Sequence, residues 1–161
     1  MDIDSIREIF EGNTTAHICM SDPFDKNTSR TVHQRVSDAK LQEHLKGKVR
    51  IGFLPFADGT DRCKYAGWDV DTGEVDHLRA ICDVLERIEI PYYVETSKSR
   101  GWHIWLFCDL IPAEKLRRLG LWVIREAQME GIIREFFPKQ NDPKKTGNAI
   151  WLPFFSIEVP E

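Results

Sequence analysis

The sequence predicts an α+β fold, in which a mixed and largely antiparallel curved sheet is flanked by helices. Apolar residues recur at helical spacing over residues 74–88 and again from residue 112, which is typical of helices that bury one face. Short segments rich in apolar residues and bounded by glycine, proline or aspartate predict the strands. Because these elements do not follow a regular strand–helix–strand order, the pattern favours α+β over a parallel α/β sheet.

The chain is predicted to form a single domain. Residues 1–36 are expected to be an N-terminal helix, capped by Asp4 and ended by Gly12, and then an irregular polar segment packed on the core. Residues 37–161 are expected to form that core. Its helices are predicted over 38–46, 74–88 and from 112, and its strands over 49–56, 64–71, 91–95, 102–108, 132–137 and 148–154.

The composition is that of an ordinary globular protein, with 42% apolar and 30% charged residues among 161. The four cysteines are scattered without a Cys-x-x-Cys pair, so neither a structural zinc site nor a disulfide framework is indicated. No apolar run approaches the ~20 residues that span a bilayer, and the N-terminus lacks the features of a signal peptide. We therefore expect a cytoplasmic protein with no membrane partner.

The net charge of −4 gives the chain no overall attraction to nucleic acid. Any contact with nucleic acid must therefore be local or assisted by a metal ion. The sign of the charge also counts against a module whose only role is to bind nucleic acid.

Two aspartates lie two residues apart in the predicted strand 64–71. Side chains at i and i+2 of a strand share a face, so Asp69 and Asp71 point the same way, with backbones about 6–7 Å apart. Two carboxylates this close repel unless a proton or a cation lies between them, and hard divalent ions that also bind substrate phosphates use such sites. The alternative is a solvated pair at a strand end, but the apolar neighbours predict a buried strand, where unpaired carboxylates are costly.

A polar segment, Ser-Lys-Ser-Arg-Gly-Trp-His at residues 97–103, follows the predicted strand 91–95. Ser97 and Ser99 offer hydroxyl donors and Lys98 adds positive charge, which together suit a phosphate. His103, taken alone between aromatic and aliphatic neighbours, would be interpreted as a core histidine. Beside the aspartate pair, the segment instead indicates metal-dependent chemistry on a nucleotide.

Five motifs occur in order over about residues 40–155. They are His-Leu-Lys-Gly with Ile-Gly-Phe-Leu-Pro (44–47, 51–55), Asp-Val-Asp (69–71), Ser-Lys-Ser with Gly-Trp-His-Ile-Trp (97–99, 101–105), Phe-Pro-Lys-Gln (137–140) and Gly-Asn-Ala-Ile-Trp-Leu-Pro (147–153). Each motif is weak alone, but the ordered set resembles the archaeo-eukaryotic primase superfamily, especially its bacterial and mobile-element primase-polymerases, including the primase domains of TOTE conflict systems. The loop at 97–103 is one residue shorter than the usual Ser-x-Ser-Gly-x-Gly-x-His.

The resemblance implies an RRM-like catalytic core with a two-metal site. In this interpretation Asp69 and Asp71 hold two divalent ions, Mg²⁺ or Mn²⁺, that activate a 3′-hydroxyl and clamp a triphosphate. The family also supplies a third acidic ligand, for which Glu135 is the candidate and Glu158 the reserve. A surface glutamate paired with a neighbouring lysine or arginine is the alternative for Glu135.

The same resemblance implies that Ser97, Lys98, Ser99 and His103 bind the incoming nucleotide. Lys139 either reaches the phosphates or template or lies in an ordinary surface turn. The implied partners are a single-stranded DNA template, an NTP or dNTP, and a helicase or a fused replication module.

The function that follows is a nucleotidyltransferase, a template-dependent primase-polymerase. A non-catalytic nucleotide- or single-strand-binding module that kept the fold is the first alternative. A rolling-circle-type nuclease is a second, but its chemistry needs a His-hydrophobic-His metal pair. The chain has His103-Ile104-Trp105 at that position, which lacks the second histidine.

Overall fold

The polypeptide forms two open antiparallel sheets of four strands each, with four α-helices, in a computed structural model that describes residues 2–97, 101–142 and 148–156. The helices are α1 (Ile3–Phe10), α2 (Asp38–Leu45), α3 (Val75–Arg87) and α4 (Ala113–Glu126). The strands are β1 (His17–Met20), β2 (Ser29–Val32), β3 (Arg50–Phe53), β4 (Arg62–Val70), β5 (Tyr93–Thr96), β6 (Trp102–Pro112), β7 (Glu135–Phe137) and β8 (Ile150–Trp151). The predicted α+β class is confirmed.

The first sheet has the strand order β2-β1-β3-β8 and corrects two expectations. The single curved sheet was wrong, because the strands divide between two sheets. The irregular segment at 13–36 was also wrong, because it contains β1, β2 and a short 3-10 helix (Lys26–Thr28). Three of the four residues of the edge strand β2 are exposed, so its sequence carries no apolar alternation to reveal it.

The second sheet, with the order β5-β6-β4-β7, separates two hydrophobic cores. One face, which carries Trp68 and Ile104, packs against α3 and α4. The other face, which carries Tyr65 and Trp105, packs with α1, α2 and the first sheet. Successive side chains of a strand alternate between faces, so a polar residue in register with Tyr65 or Trp105 lies on the face towards the first sheet.

The helix starts follow local capping chemistry. The Ser37 side chain accepts a hydrogen bond from the Lys40 N–H and caps α2. The cap of α1 is Asp2, whose carboxylate accepts from the Ser5 N–H at 2.8 Å, and the expected Asp4 cap was wrong. Asp4 lies instead in the first turn, where its negative charge interacts favourably with the positive end of the helix dipole.

The His44 side chain ties α2 to β3 and to the C-terminal segment. Its Nδ1 accepts from the Ile51 N–H at 3.2 Å, while Nε2–H donates to the Pro153 carbonyl at 3.0 Å. Only the neutral imidazole with its proton on Nε2 satisfies both bonds. Gly47 follows with φ of +70°, and a Cβ there would lie 2.9 Å from Ser156 Oγ. The His-Leu-Lys-Gly motif therefore has a structural role.

We expect His44 to lower the free energy of unfolding as the pH drops below about 6.5. Burial lowers the pKa of His44 below 6.5, the ordinary value for histidine. As the pH falls, His44 therefore takes up a proton at a higher pH in the unfolded chain than in the folded one. The stability that neutral His44 contributes is complete above the pKa that it has in the unfolded chain. It is lost as the pH falls towards the lower pKa that it has in the folded protein. Urea denaturation across this range measures the slope, and His44→Gln should flatten it.

The matched control is His33→Gln, which removes an exposed histidine and should keep the wild-type slope. His17, whose pKa burial also lowers, and Asp69, whose pKa burial raises, leave pH dependences of opposite sign in both variants, so the comparison between the variants isolates His44. Equal slopes for the His33 and His44 variants would contradict the assignment.

Candidate active site

Four polar side chains form one row across the second sheet. The strand register places Glu95 opposite His103, His103 opposite Asp69, and Asp69 opposite Glu135. Residues directly opposite one another share a face, so the row continues the face that carries Tyr65 and Trp105. Beyond the cover of the first sheet, this face opens into a cleft. The register thus collects residues that are far apart in sequence.

Asp69 is the most unfavourably placed charge of the row. Its Oδ1 is buried and has no hydrogen-bond partner among the described residues. Burial, followed by the nearby charges of Asp71 and Glu135, raises the pKa of Asp69 to about 6, although His103 acts in the opposite direction. A buried carboxylate without a partner is unfavourable by itself, so this site favours a cation.

His103 is held in place by the neighbouring edge strand. Its Nδ1 lies 3.2 Å from Glu95 Oε2, which also accepts from the Trp105 indole N–H at 3.1 Å. A proton on Nδ1 satisfies the glutamate and directs Nε2 to the other side, where it lies 3.7 Å from Asp69 Oδ1. The imidazole is 7% exposed, so its orientation is defined by these contacts.

The cleft beside the row has a volume of about 670 Å³. Asp69, Asp71, Ser97 and His103 line it, together with the loop after β1. Asp71 follows the last residue of β4 and is exposed, so the two aspartates differ in burial although they share the cleft. Ser97 Oγ accepts from the Gly101 N–H at 3.2 Å, which leaves the hydroxyl proton free to donate to a ligand.

Gly101 allows β6 to approach the end of β4 very closely. A Cβ at this residue would lie 2.2 Å from the Val70 carbonyl oxygen and 3.0 Å from Asp71 Cα. The Ser97 N–H also donates to the Gly101 carbonyl at 2.8 Å, which closes the base of the loop between β5 and β6. The glycine therefore sets the distance between the aspartates and His103.

Glu135 shares the face of Asp69 but has a partner of its own. Lys139 Nζ lies 2.6 Å from Glu135 Oε1 and 4.8 Å from the centre of the Phe137 ring. The glutamate is thus paired with a nearby lysine and also lies within electrostatic range of Asp69. Its role as a third acidic ligand stays a prediction, as does a contact between Lys139 and a nucleotide. Lys98, Ser99 and Glu158 lie outside the described residues.

The domain family described as "TOTE conflict system, Archaeo-Eukaryotic Primase domain" matches residues 13–159. The chain belongs to this family. The match starts before β1, so both strands of the segment at 13–36 lie within the matched domain. A search of curated proteins found no matching sequence.

Membership of the family supports a primase-like nucleotidyltransferase role and implies nucleotide and DNA substrates for this primase domain. The resemblance drawn from the five motifs is confirmed.

Among the residues that the structure describes, none of the helices combines the length and the apolar character needed to span a bilayer.

Sequence reasoning missed two residues of the candidate site, Glu95 and Arg50. Glu95 ends a predicted strand and showed no motif of its own, although its alternation with Tyr93 was visible. Its role comes from pairing with His103, eight residues away, which only the strand register reveals. Arg50 starts β3 immediately before the Ile-Gly-Phe-Leu-Pro motif, and nothing in the sequence linked it to the aspartates.

Arg50 brings a positive charge to the cleft from β3 of the first sheet. It lines the 670 Å³ cleft and a smaller neighbouring cavity of about 370 Å³ that also includes Ser97 and His103. Its Nε is buried without a hydrogen-bond partner among the described residues, and its guanidinium lies 4.4 Å from the centre of the Phe155 ring. Burial lowers the pKa of Arg50, an effect that the charge of Glu95 opposes. A donor left unpaired beside a cleft is suited to an anionic ligand.

The carboxylates of the cleft fit what a hydrated divalent ion requires. Among the described residues, no three His, Cys, Asp or Glu side chains converge as a ready metal cage. Asp69 and Asp71 offer two carboxylates on one cleft, and the partnerless Oδ1 of Asp69 suits a cation. Magnesium is commonly bound by one or two carboxylates plus waters and substrate phosphates, so the residues fit such an ion.

Proposed function

We propose that this primase domain is the catalytic core of a template-dependent primase-polymerase. It adds NTP or dNTP units to a 3′-hydroxyl on a single-stranded DNA template and uses Mg²⁺ or Mn²⁺. The observation that carries the proposal is the partnerless, buried Asp69 Oδ1 beside Asp71, in a cleft that also holds His103 and Arg50. A carboxylate pair for a metal and basic groups for phosphates are the two halves of a nucleotidyl-transfer site.

In the reaction the 3′-oxygen forms a bond to the α-phosphorus, and the bond from that phosphorus to the pyrophosphate oxygen breaks. When bound, divalent ions would favour ionisation of the 3′-hydroxyl and neutralise charge on the triphosphate. Asp69 and Asp71 would hold them, with Glu135 as the proposed third ligand. Release of Glu135 from Lys139 would then free that lysine for the substrate.

The basic side of the cleft would orient the triphosphate. His103, held through Nδ1 by Glu95, would donate from Nε2 to a phosphate oxygen in its imidazolium form, in which both ring nitrogens carry a proton. The Ser97 hydroxyl and the Arg50 guanidinium, whose Nε has no hydrogen-bond partner among the described residues, would add donors from the two neighbouring walls. Lys98 and Ser99 are proposed to contact the same phosphates. Preorganised donors of this kind lower the barrier by stabilising charge that develops in the transition state.

Primer extension tests the proposal directly. A labelled primer on a single-stranded DNA template should lengthen when the protein is supplied with Mn²⁺ or Mg²⁺ and either dNTPs or NTPs. Removal of the metal with EDTA should stop extension, and excess Mn²⁺ should restore it. Nucleotide binding without extension under any of these conditions would support the non-catalytic binding module instead.

We expect Arg50→Gln to weaken nucleotide binding by roughly ten- to hundredfold. That range corresponds to the 1.5–3 kcal/mol typical of a hydrogen bond to a charged group, roughly what one guanidinium contact with phosphate supplies. Titration of a fluorescent nucleoside triphosphate in the presence of Mn²⁺ measures the loss.

The matched control is Arg30→Gln, which removes the same charge from an exposed position on β2 of the same sheet. This variant should bind nucleotide like the wild type. An equal loss in both variants would mean that overall charge, and not a contact in the cleft, determines the affinity.

A further inference from the structure

A second groove, about 520 Å³ in volume, lies between α4 and the chain that leads into β7. We call it the basic groove and define it by Arg117, Arg125, Arg134 and Lys139. Its lining among the described residues includes one acid, Glu130, and an apolar floor that contains Phe136. This is a local concentration of positive charge on a protein whose net charge is −4.

The spacing along α4 directs two of these arginines into the groove. Arg117, Leu121 and Arg125 follow one another at intervals of four residues, so they share one face of the helix. At 1.5 Å rise per residue, the two arginines are about 12 Å apart along the axis. The distance exceeds the roughly 3.4 Å that separates successive phosphates of a duplex strand along its axis, so one strand would present several phosphates to the groove.

The three arginines of the basic groove form no salt bridge with another described residue, whereas Lys139 is paired with Glu135. Among the described residues, the arginine salt bridges involve Arg7, Arg35, Arg79 and Arg87. Arg125 and Arg134 are exposed. The Arg117 guanidinium donates to the Pro138 carbonyl at 2.9 Å, which fixes it beside Lys139 without cancelling its charge.

The groove adjoins the candidate active site through the edge of the second sheet. The edge strand β7 carries Glu135 on the face of the catalytic row and Phe136 on the face towards the groove. Lys139 contacts Glu135 on one side and lines the groove on the other. A strand that passes the row and continues around this edge meets the groove next.

We infer that the basic groove binds the phosphate backbone of a single nucleic-acid strand as it enters or leaves the active site. This inference rests on the proposed function for the identity of the strand. Two features favour a nucleic acid as the ligand: the groove adjoins the row of polar residues at the candidate active site, and its arginines are spaced to meet several phosphates. An acidic protein segment would require only the positive charge of the groove. The contacts are to phosphate, so the groove supplies affinity without reading base sequence.

The salt dependence of strand binding tests the inference. Fluorescence anisotropy of a labelled single-stranded oligonucleotide is recorded over a series of NaCl concentrations with the full chain. The slope of log K against log salt is negative, and each lost phosphate contact on a single strand reduces its magnitude by about 0.7, so R125Q/R134Q should make it less negative by about 1.4. Arg117 is left unchanged because its loss would also free the Pro138 carbonyl.

The control is R79Q/R118Q, which removes two exposed arginines from α3 and from a different face of α4. Its slope should stay close to that of the wild type, and both double variants should bind a fluorescent nucleotide normally. Equal slope changes in the two variants, no change in either, or a wild type that does not bind the oligonucleotide would overturn the inference. So would weaker binding of polyglutamate by R125Q/R134Q with strand binding unaltered, which would point to an acidic protein.

The two proposals fail in different ways. A protein that extends no primer, but whose strand binding still depends on the basic groove, contradicts the catalytic proposal and leaves the groove in place. If the R125Q/R134Q variant extends primers normally and its salt slope is unaltered, the inference about strand binding in the basic groove is contradicted. The catalytic proposal would then stand.

Discussion

Replacement of Asp69 by asparagine is expected to reduce nucleotide incorporation to background while making the metal-free protein more stable. Both effects have one cause, because Asp69 Oδ1 is buried without a hydrogen bond to another described residue and the carboxylate lies beside Asp71. Its pKa is raised from 3.8 to about 6, so ionisation destabilises the fold as the pH rises through that interval. The stability gained by Asp69→Asn should therefore grow from about pH 4 to above pH 6.

Thermal denaturation with and without Mn²⁺ separates the metal role from the structural one. Addition of Mn²⁺ should raise the melting temperature of the wild type, because a ligand that binds only the folded state stabilises it. The Asp69→Asn variant should not respond. The control Asp109→Asn removes an exposed carboxylate from β6 and should behave like the wild type in every measurement. An Asp69→Asn variant that extends primers at the wild-type rate would refute the metal assignment.

The second large effect is expected from Gly101→Ala. The new methyl group would lie 2.2 Å from the Val70 carbonyl, so β6 must move away from the end of β4. Overpacking of this kind costs typically about 1–3 kcal/mol of stability. A displacement of His103 relative to the aspartates by about 1 Å is enough to reduce incorporation by about a hundredfold. Urea denaturation and primer extension measure the two losses.

Gly59→Ala is the matched control, since Gly59 has φ of +68° and no atom lies within 4 Å of the position that its new methyl group would take. The Gly59→Ala variant introduces the backbone strain of an alanine at positive φ but no steric clash. Gly59 is also not among the residues that line the cleft. This variant should lose some stability and keep its activity. Activity of Gly101→Ala near the wild-type level would show that the close approach of β4 and β6 does not position the site.

The parts of the site that sequence reasoning identified are those with a local pattern. Asp69 and Asp71 could be assigned to one strand face by their spacing, and Ser97 to His103 by their succession after a strand. Glu95 and Arg50 could not, because their relation to the site arises from strand pairing and from the packing of one sheet against the other. A sequence carries no direct record of which strands become neighbours.

The same reason separates the predicted fold from the observed one. Helices α3 and α4 were predicted well because helical periodicity is contained within each segment. The strands β1 and β2 were missed because they lie in a segment rich in polar residues, and β2 is an exposed edge. The division into two sheets depends on pairings between segments that are far apart, such as Phe53 with Ile150.

The closed base of the loop between β5 and β6 has a consequence for how such domains can diverge. Ser97 and Gly101 bond to each other through two hydrogen bonds, which form a clasp at the base of the loop. Insertions, deletions and charge changes at 98–100 can then accumulate without shifting Glu95 or His103. A loop one residue shorter than the family's usual length is the kind of variation that this arrangement tolerates. For engineering, Ser97 and Gly101 mark the ends of a loop that can be replaced. Loops of different length and sequence could be introduced at 98–100 to alter nucleotide preference while the catalytic geometry is kept.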